Sequence, residues 1–261
     1  ASSSETMTIN VTGAPPGGVT GVSGRVVDGG STPLANVTVT LKATGQSTVT
    51  NAQGVFTLTG LSVSGRQQLK VDGFSQGYAI LVVPVDLIAN VTTQLSSNLT
   101  IPPIDTAHAV TINPGATTVV SNPNLPGVSV TIAAGTAKNA DGTAFTGSLS
   151  ISPVPEYGRP ESRPVELRPG LSVTIQPAGV VLDPPAPITF PNVDNMAPGN
   201  DLDLWSLSPD TGTFAHVGTM RVSADGQRLE TISGGVRKTA WHFAMAPNPV
   251  AGGPPDNQRG T

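Results

Sequence analysis

The sequence contains no cysteine, which removes disulfides, thiolate metal sites and cysteine nucleophiles together. Packing and backbone hydrogen bonds must hold the fold. Charge is scarce as well: Asp, Glu, Lys and Arg make up 11% of the chain, and 13 basic against 17 acidic residues leave a formal net charge of −4. With a pI near 5.2 and scattered Lys and Arg there is no basic stripe for a phosphate backbone, so no nucleic-acid partner is expected. Disorder would need higher net charge and fewer apolar residues than the 37% present. Long apolar runs are missing too. The longest, Tyr78 to Val85, carries Pro84 and falls far short of the ~20 residues of a membrane-spanning helix, so no membrane span is expected. Aromatic residues are 4% of the chain, which supplies no dense stripe for stacking sugars.

What the chain has instead is punctuation. Gly 30 and Pro 25 among 261 residues interrupt it too often for long helices. The expected fold class is all-β, with two tandem β-sandwich domains and an N-terminal strand extension. In residues 5–12, Met7, Ile9 and Val11 alternate with polar neighbours, the period of a half-buried strand and a candidate donor strand. Residues 13–18, Gly-Ala-Pro-Pro-Gly-Gly, read as a linker. Val37, Val39 and Leu41 then form one inward stripe, Phe56 and Leu58 a second, Leu69 and Val71 a third. Turns are expected at Asp28-Gly29-Gly30, at Asn51 to Gly54 and at Asp72-Gly73. The expected division is 1–18 (strand and linker), 19–103 (first sandwich, closed by Pro102-Pro103), 104–247 (second sandwich) and 248–261 (a Gly/Pro-rich tail). In the second domain Val128, Val130 and Ile132 alternate, as do Leu149 and Ile151, Val173 and Ile175, and Leu202 and Leu204. Its prolines, among them Pro153, Pro177, Pro184, Pro185 and Pro191, must lie at strand edges, ends or corners, because a central ladder needs every N–H.

The text Val22-Ser23-Gly24-Arg25-Val26-Val27-Asp28, Pro33-Leu34-Ala35-Asn36-Val37-Thr38-Val39 and Thr50-Asn51-Ala52-Gln53-Gly54-Val55-Phe56-Thr57-Leu58 resembles the carboxypeptidase regulatory-like family over residues 19–100. The collagen-adhesin B-type repeat reads almost the same. Either resemblance implies a transthyretin-like or related sandwich acting as spacer, scaffold or binding module, without catalytic residues. In the second half, Gln176-Pro177-Ala178-Gly179-Val180-Val181-Leu182-Asp183-Pro184-Pro185, Asp203-Leu204-Trp205 and Gly212-Thr213-Phe214 resemble a segment of bacterial surface and RHS-repeat proteins. Through Trp241-His242-Phe243 the chain is also similar to the ankyrin and netrin-receptor type sandwich. Some members of that group cut their own backbone at His-Phe-Ser, the hydroxyl attacking the preceding carbonyl. Here Ala244 follows His242 and Phe243, so the nucleophile is missing and no self-cleavage is expected.

Other chemistry is sparse. The sequence has no Gly-x-Ser-x-Gly elbow, no His-Glu-x-x-His helix and no Gly-x-x-x-x-Gly-Lys loop. His108, His216 and His242 lie far apart. Asp194, Asn195, Asn200, Asp201 and Asp203 make the best oxygen-rich cluster, a candidate calcium turn without calcium-loop spacing; its plainer reading is turn residues followed by a strand's solvent face. The stretch 156–169, with Arg159, Glu161, Arg163, Glu166 and Arg168, reads as an exposed charged loop. Sequons at Asn10, Asn36, Asn90 and Asn98 would be glycan acceptors in a eukaryotic secretory route; chance in a strand composition rich in Asn, Val and Thr is the better reading.

No catalytic residue, metal site or cofactor is therefore expected. The composition and the start Ala1-Ser2-Ser3-Ser4 resemble a bacterial exported protein, secreted or held at the cell surface. The expected role is a non-catalytic structural or adhesive protein, a subunit of a surface filament or layer assembled by β-strand addition, whose partner is another copy or another extracellular protein. The alternatives are a carbohydrate- or ligand-binding accessory module, and the front portion of a larger exported RHS-type protein or toxin.

Overall fold

A computed structural model of the chain describes residues 18–155 and 170–246. The expected donor strand with Met7, Ile9 and Val11, the charged loop of residues 156–169 and the tail of residues 248–261 lie outside the described residues. Strands dominate, and the helical elements described are two single 3₁₀ turns, Phe74–Gln76 and Thr106–His108. Among the described residues no helix is long and apolar enough to cross a membrane. The backbone divides into two compact units, the first chiefly residues up to Asp105 and the second chiefly those from Thr106 onward.

In the first unit, strands β1 (Gly21–Val27), β2 (Thr38–Leu41), β3 (Ser47–Val49), β4 (Val55–Thr59), β5 (Gly65–Asp72), β6 (Ile80–Leu87), β7 (Thr92–Gln94) and β8 (Leu99–Thr100) form two sheets. One runs β4-β1-β7 with β8 also on β1, and the other β3-β2-β5-β6. Strand β1 pairs antiparallel with β4 and parallel with both short strands. The three expected stripes all face inward: Val37, Val39, Leu41, Phe56, Leu58, Leu69 and Val71 are buried, joined by Val22, Val26 and Ile101. Period-2 alternation decides this, because each stripe has an apolar face to remove from water while its polar neighbours stay solvated.

The turns follow from side-chain chemistry. Asn51 Oδ1 accepts the N–H groups of Gln53 and Val55, each at 2.9 Å, and Asp28 Oδ1 accepts those of Gly30 and Thr32, each at 2.8 Å. Both are Asx turns, in which a short side chain replaces a backbone acceptor. Gly54 closes the Asn51 turn at φ +72°, where an added Cβ would lie 2.3 Å from the Val26 carbonyl oxygen. The Pro102-Pro103 pair is built into this unit. The Pro102 carbonyl accepts the Ala79 N–H at 2.9 Å, and Pro103 bridges Tyr78.

The second unit carries β9 (Val110–Thr111), β10 (Thr118–Ser121), β11 (Ser129–Ile132), β12 (Ala137–Lys138), β13 (Ser148–Pro153), β14 (Ser172–Gln176), β15 (Val181–Ala186), β16 (Ile188–Pro191), β17 (Asp201–Leu207), β18 (Phe214–Val222), β19 (Arg228–Gly234), β20 (Val236–Lys238) and β21 (Trp241–Met245). Its layers are unequal: a ten-stranded sheet ordered β10-β11-β16-β19-β18-β17-β21-β14-β13-β9, and a three-stranded sheet ordered β12-β15-β20. The two share one core, in which Leu182, Ala186 and Val236 of the small sheet join Val130, Leu149, Ile175, Ile188, Phe190 and Leu204 of the large one. A sheet this wide stays compact only by coiling. Its first strand comes back beside its far end, where the buried Asn122 amide donates to the Ile151 carbonyl at 2.9 Å. The prolines sit where ladders allow them. Pro153 and Pro191 are terminal strand residues, and Pro184 and Pro185 occupy the register break between Val181 and Ala186.

Two left-handed glycines separate strain from crowding. Gly60 has φ +70° with open space around its Cβ position, whereas Gly54 meets backbone. Gly60→Ala should lose about 1–2 kcal/mol of stability from the dihedral alone, and Gly54→Ala about 3 kcal/mol or more, because the contact adds to it. Urea unfolding of both variants checks the order.

Candidate functional site

The triplet His242-Phe243-Ala244 lies in β21, the strand between β14 and β17. Both neighbours pair with it antiparallel: Ser172 opposite Phe243 and Val173 opposite His242 on one side, Leu204 opposite Ala244 and Ser206 opposite His242 on the other. Phe243 is thus paired on both sides, and Ala244, beyond the β14 register, on the β17 side. All three side chains are buried. Alternation puts His242 on the face it shares with Ala244, which belongs to the core, and turns Phe243 to the opposite face, where it meets Phe214 edge-on at 5.5 Å.

His242 Nδ1 lies 3.2 Å from the Ala240 carbonyl oxygen, so with the proton on Nδ1 the ring donates to that group. Among the described residues its Nε2 has no partner, and neither do the nearby buried Ser172 Oγ and Trp241 Nε1. Burial pushes the imidazole pKa down to about 4, the Ala240 contact opposing only part of that. The side chain is neutral at physiological pH, with no hydroxyl at residue 244 to activate.

The oxygen-rich turn is also organised internally. Asn192, not singled out from the sequence, is its centre: its amide donates to the Met196 and Gly226 carbonyls, each at 2.8 Å, and its Oδ1 accepts the Met196 N–H at 3.0 Å. Asn195 takes the left-handed conformation at φ 50°, and the Asn200 carbonyl accepts the Val222 N–H at 2.9 Å. Asp201 is clamped by Arg221 through two bonds of 2.6 and 2.9 Å, which hold its pKa below the ordinary carboxylate range. Asp203 lies 3.3 Å from His216 Nε2. Among the described residues no three His, Cys, Asp or Glu side chains come together around a common metal position. His108 ends the 3₁₀ turn Thr106–His108.

One grouping was not foreseen. Trp205 and His216 face each other across β17 and β18 with ring centroids 5.9 Å apart, edge to face, and Asp203 contacts the same imidazole. The alternation of Asp201, Asp203 and Trp205 was visible, but their partners required the register with β18. Of the sequon asparagines, Asn36 and Asn90 occupy exposed left-handed positions, φ 59° and 61°, which asparagine tolerates better than most residues. Asn98 is exposed, and Asn10 lies outside the described residues.

Comparison with known proteins adds one family. Residues 21–100 match the carboxypeptidase regulatory-like domain, a non-catalytic domain family. No curated protein matches the chain. Among solved structures, the Bacillus anthracis TIE protein aligns with 88% of this chain and 48% of its own at 13% identity, with a TM-score of 0.28. The chain spans about half the length of that protein.

Two expectations follow from β21. Above the ordinary histidine pKa of 6.5, His242 is neutral in both folded and unfolded chains. Between 6.5 and the folded value of about 4 only the unfolded chain takes up the proton, so stability falls as pH drops through that window and levels off below it. The loss attributable to His242 approaches roughly 3 kcal/mol, and comparing urea unfolding at pH 7.5 and 4.5 for wild type and His242→Leu isolates it as the part of the pH effect that the variant lacks. Intact mass is expected to show a single chain, and Ala244→Ser should leave it uncleaved because Phe243, whose carbonyl would be attacked, is held in ladders on both sides and is not distorted toward attack. Two fragments meeting at residue 243 in either protein would contradict this.

Proposed function

We propose that this chain is a non-catalytic structural module of a secreted or cell-surface assembly, a filament or layer whose copies are joined by β-strand addition. The observation that carries the non-catalytic part is the fate of the one catalytic resemblance: His242 is a neutral core residue in a strand paired on both sides. The match of residues 21–100 to a regulatory-like domain supports the same reading. The assembly part is supported by the sequence of residues 5–12. Its apolar stripe of Met7, Ile9 and Val11 cannot be stable as a lone strand in water, so it must pair with a sheet edge. Residues 13–18 supply a linker long enough for that edge to belong to another copy. Low charge leaves few Lys or Glu side chains to keep edges apart, and head-to-tail lending propagates without closing.

The test is sedimentation velocity with negative-stain imaging of the full chain and of a variant lacking residues 1–13. The full chain should assemble as concentration rises, and the deletion should leave a folded monomer with unchanged unfolding temperature. Normal assembly of the truncated protein, or a full chain that stays monomeric throughout, contradicts strand lending.

A second reading, a carbohydrate-binding module, draws on Trp205 with His216 and Asp203. A partly exposed indole beside an imidazole and a carboxylate offers a ring face and hydrogen-bonding groups to a sugar. Trp205→Ala should abolish retention on an immobilised polysaccharide if this face binds one.

A further inference from the structure

We infer that the edge receiving the donated strand is the free side of β4 in a neighbouring copy; this rests on the strand-addition reading above. Every open sheet has edges, and those of natural proteins are blunted by charge, proline, shortness or cover. Among the described residues the terminal strands are β4, β7, β8, β3 and β6 in the first unit and β10, β9, β12 and β20 in the second. Most are blunted. β6 carries Pro84 and Asp86, β20 carries Arg237 and Lys238, and β3, β7, β8, β9 and β12 are two or three residues long. β10 has four residues and is flanked by the Asn122 side chain, which reaches the Ile151 carbonyl of β13. β4, Val55-Phe56-Thr57-Leu58-Thr59, has five residues with neither charge nor proline.

Main-chain direction along β4 shows which groups are open. The Val26 N–H bonds the Gly54 carbonyl at 2.8 Å, and in an antiparallel ladder bonded pairs recur at every second residue. Gly24 with Phe56 and Val22 with Leu58 therefore exchange bonds inside the sheet, while Val55, Thr57 and Thr59 direct their N–H and C=O groups away from β1. Val55 is already satisfied, its N–H by Asn51 Oδ1 and its carbonyl by the Asn51 N–H, each at 2.9 Å. Thr57 and Thr59 remain as the template. Phe56 and Leu58 face the core, so a strand laid along this edge sets alternate side chains beside them, which is where Met7, Ile9 and Val11 fit. Thr8 and Asn10 would then stand beside Thr57 on the exposed face.

A second copy is the better donor because of chain direction. Gly21, where β1 begins, is opposite Thr59, where β4 ends. A segment leading into Gly21 by the direct path runs parallel to β4, and parallel pairing is slightly the weaker. A strand from a neighbour reaches antiparallel pairing without crossing the sheet end.

The absence of native cysteine makes disulfide trapping unambiguous. Separately purified Thr8→Cys or Asn10→Cys chains are mixed with Thr57→Cys chains and oxidised, with Val119→Cys on β10 as the competing acceptor. A cross-linked dimer with Thr57→Cys, at least tenfold more abundant than with Val119→Cys, is expected. Thr57→Pro removes an outward N–H without touching the β1 ladder, and should weaken assembly at least tenfold with unfolding temperature unchanged; should it misfold, the cross-link alone decides. Preferential trapping at Val119→Cys overturns the β4 assignment while leaving strand addition intact. An intramolecular cross-link in the Asn10→Cys/Thr57→Cys double variant overturns the second copy as donor. No cross-link at either acceptor, together with unimpaired assembly after deletion of residues 1–13, overturns strand addition itself.

Discussion

Pairing of backbone N–H and C=O groups between strands is the constraint on which this protein depends. Without disulfides, and with little charge, the chain is held by ladders and by the apolar stripes those ladders align. A β-strand cannot satisfy its own main chain, so each one requires a neighbour, and the order in which neighbours are found sets what every side chain can do. The position of β21 between β14 and β17 makes His242 a core residue. The pairing of β17 with β18 gives Asp201 to Arg221 and brings Trp205 to His216. At β4, among the described residues, no strand lies alongside the outward groups of Thr57 and Thr59.

Turn chemistry makes the pairing possible at such short intervals. Asn51 serves the turn before β4 twice, through its side-chain oxygen and through its own N–H, and Gly54 supplies the conformation that lets the turn pass under Val26. Thr50 plays a comparable part in the interior. Its hydroxyl donates to the Leu34 carbonyl at 2.6 Å and accepts the Val37 N–H at 3.0 Å, so a buried polar group ties the segment before β2 to the chain leaving β3. Asp28 and Asn192 behave like Asn51: each accepts N–H groups of its own turn, which is what short polar side chains do where the ladder is interrupted.

Much of the fold was legible because its signals are local. The alternation of Val37, Val39 and Leu41, the Gly before the Phe strand and the placing of prolines at strand edges, ends and register breaks all depend on residues a few positions apart. The ten-stranded order was not legible. It joins β16 to β19 and β14 to β21, contacts between segments tens of residues apart in which many Val- and Thr-rich strands compete as partners. For the candidate site, the missing hydroxyl at Ala244 was readable from one residue. The burial of His242 Nε2, the Asp203–His216 contact and the central role of Asn192 were not, because each depends on which strand or turn lies alongside.

We propose that this scaffold is non-catalytic and that β4 presents a sheet edge which another copy completes. Amide hydrogen exchange at Thr57 and Thr59 reports directly on that edge. In the assembled full-length protein both amides should be protected, and in the chain lacking residues 1–13 both should exchange rapidly, while Phe56 and Leu58, bonded to β1, stay protected in both. Equal exchange at Thr57 and Thr59 in the two proteins would contradict the account.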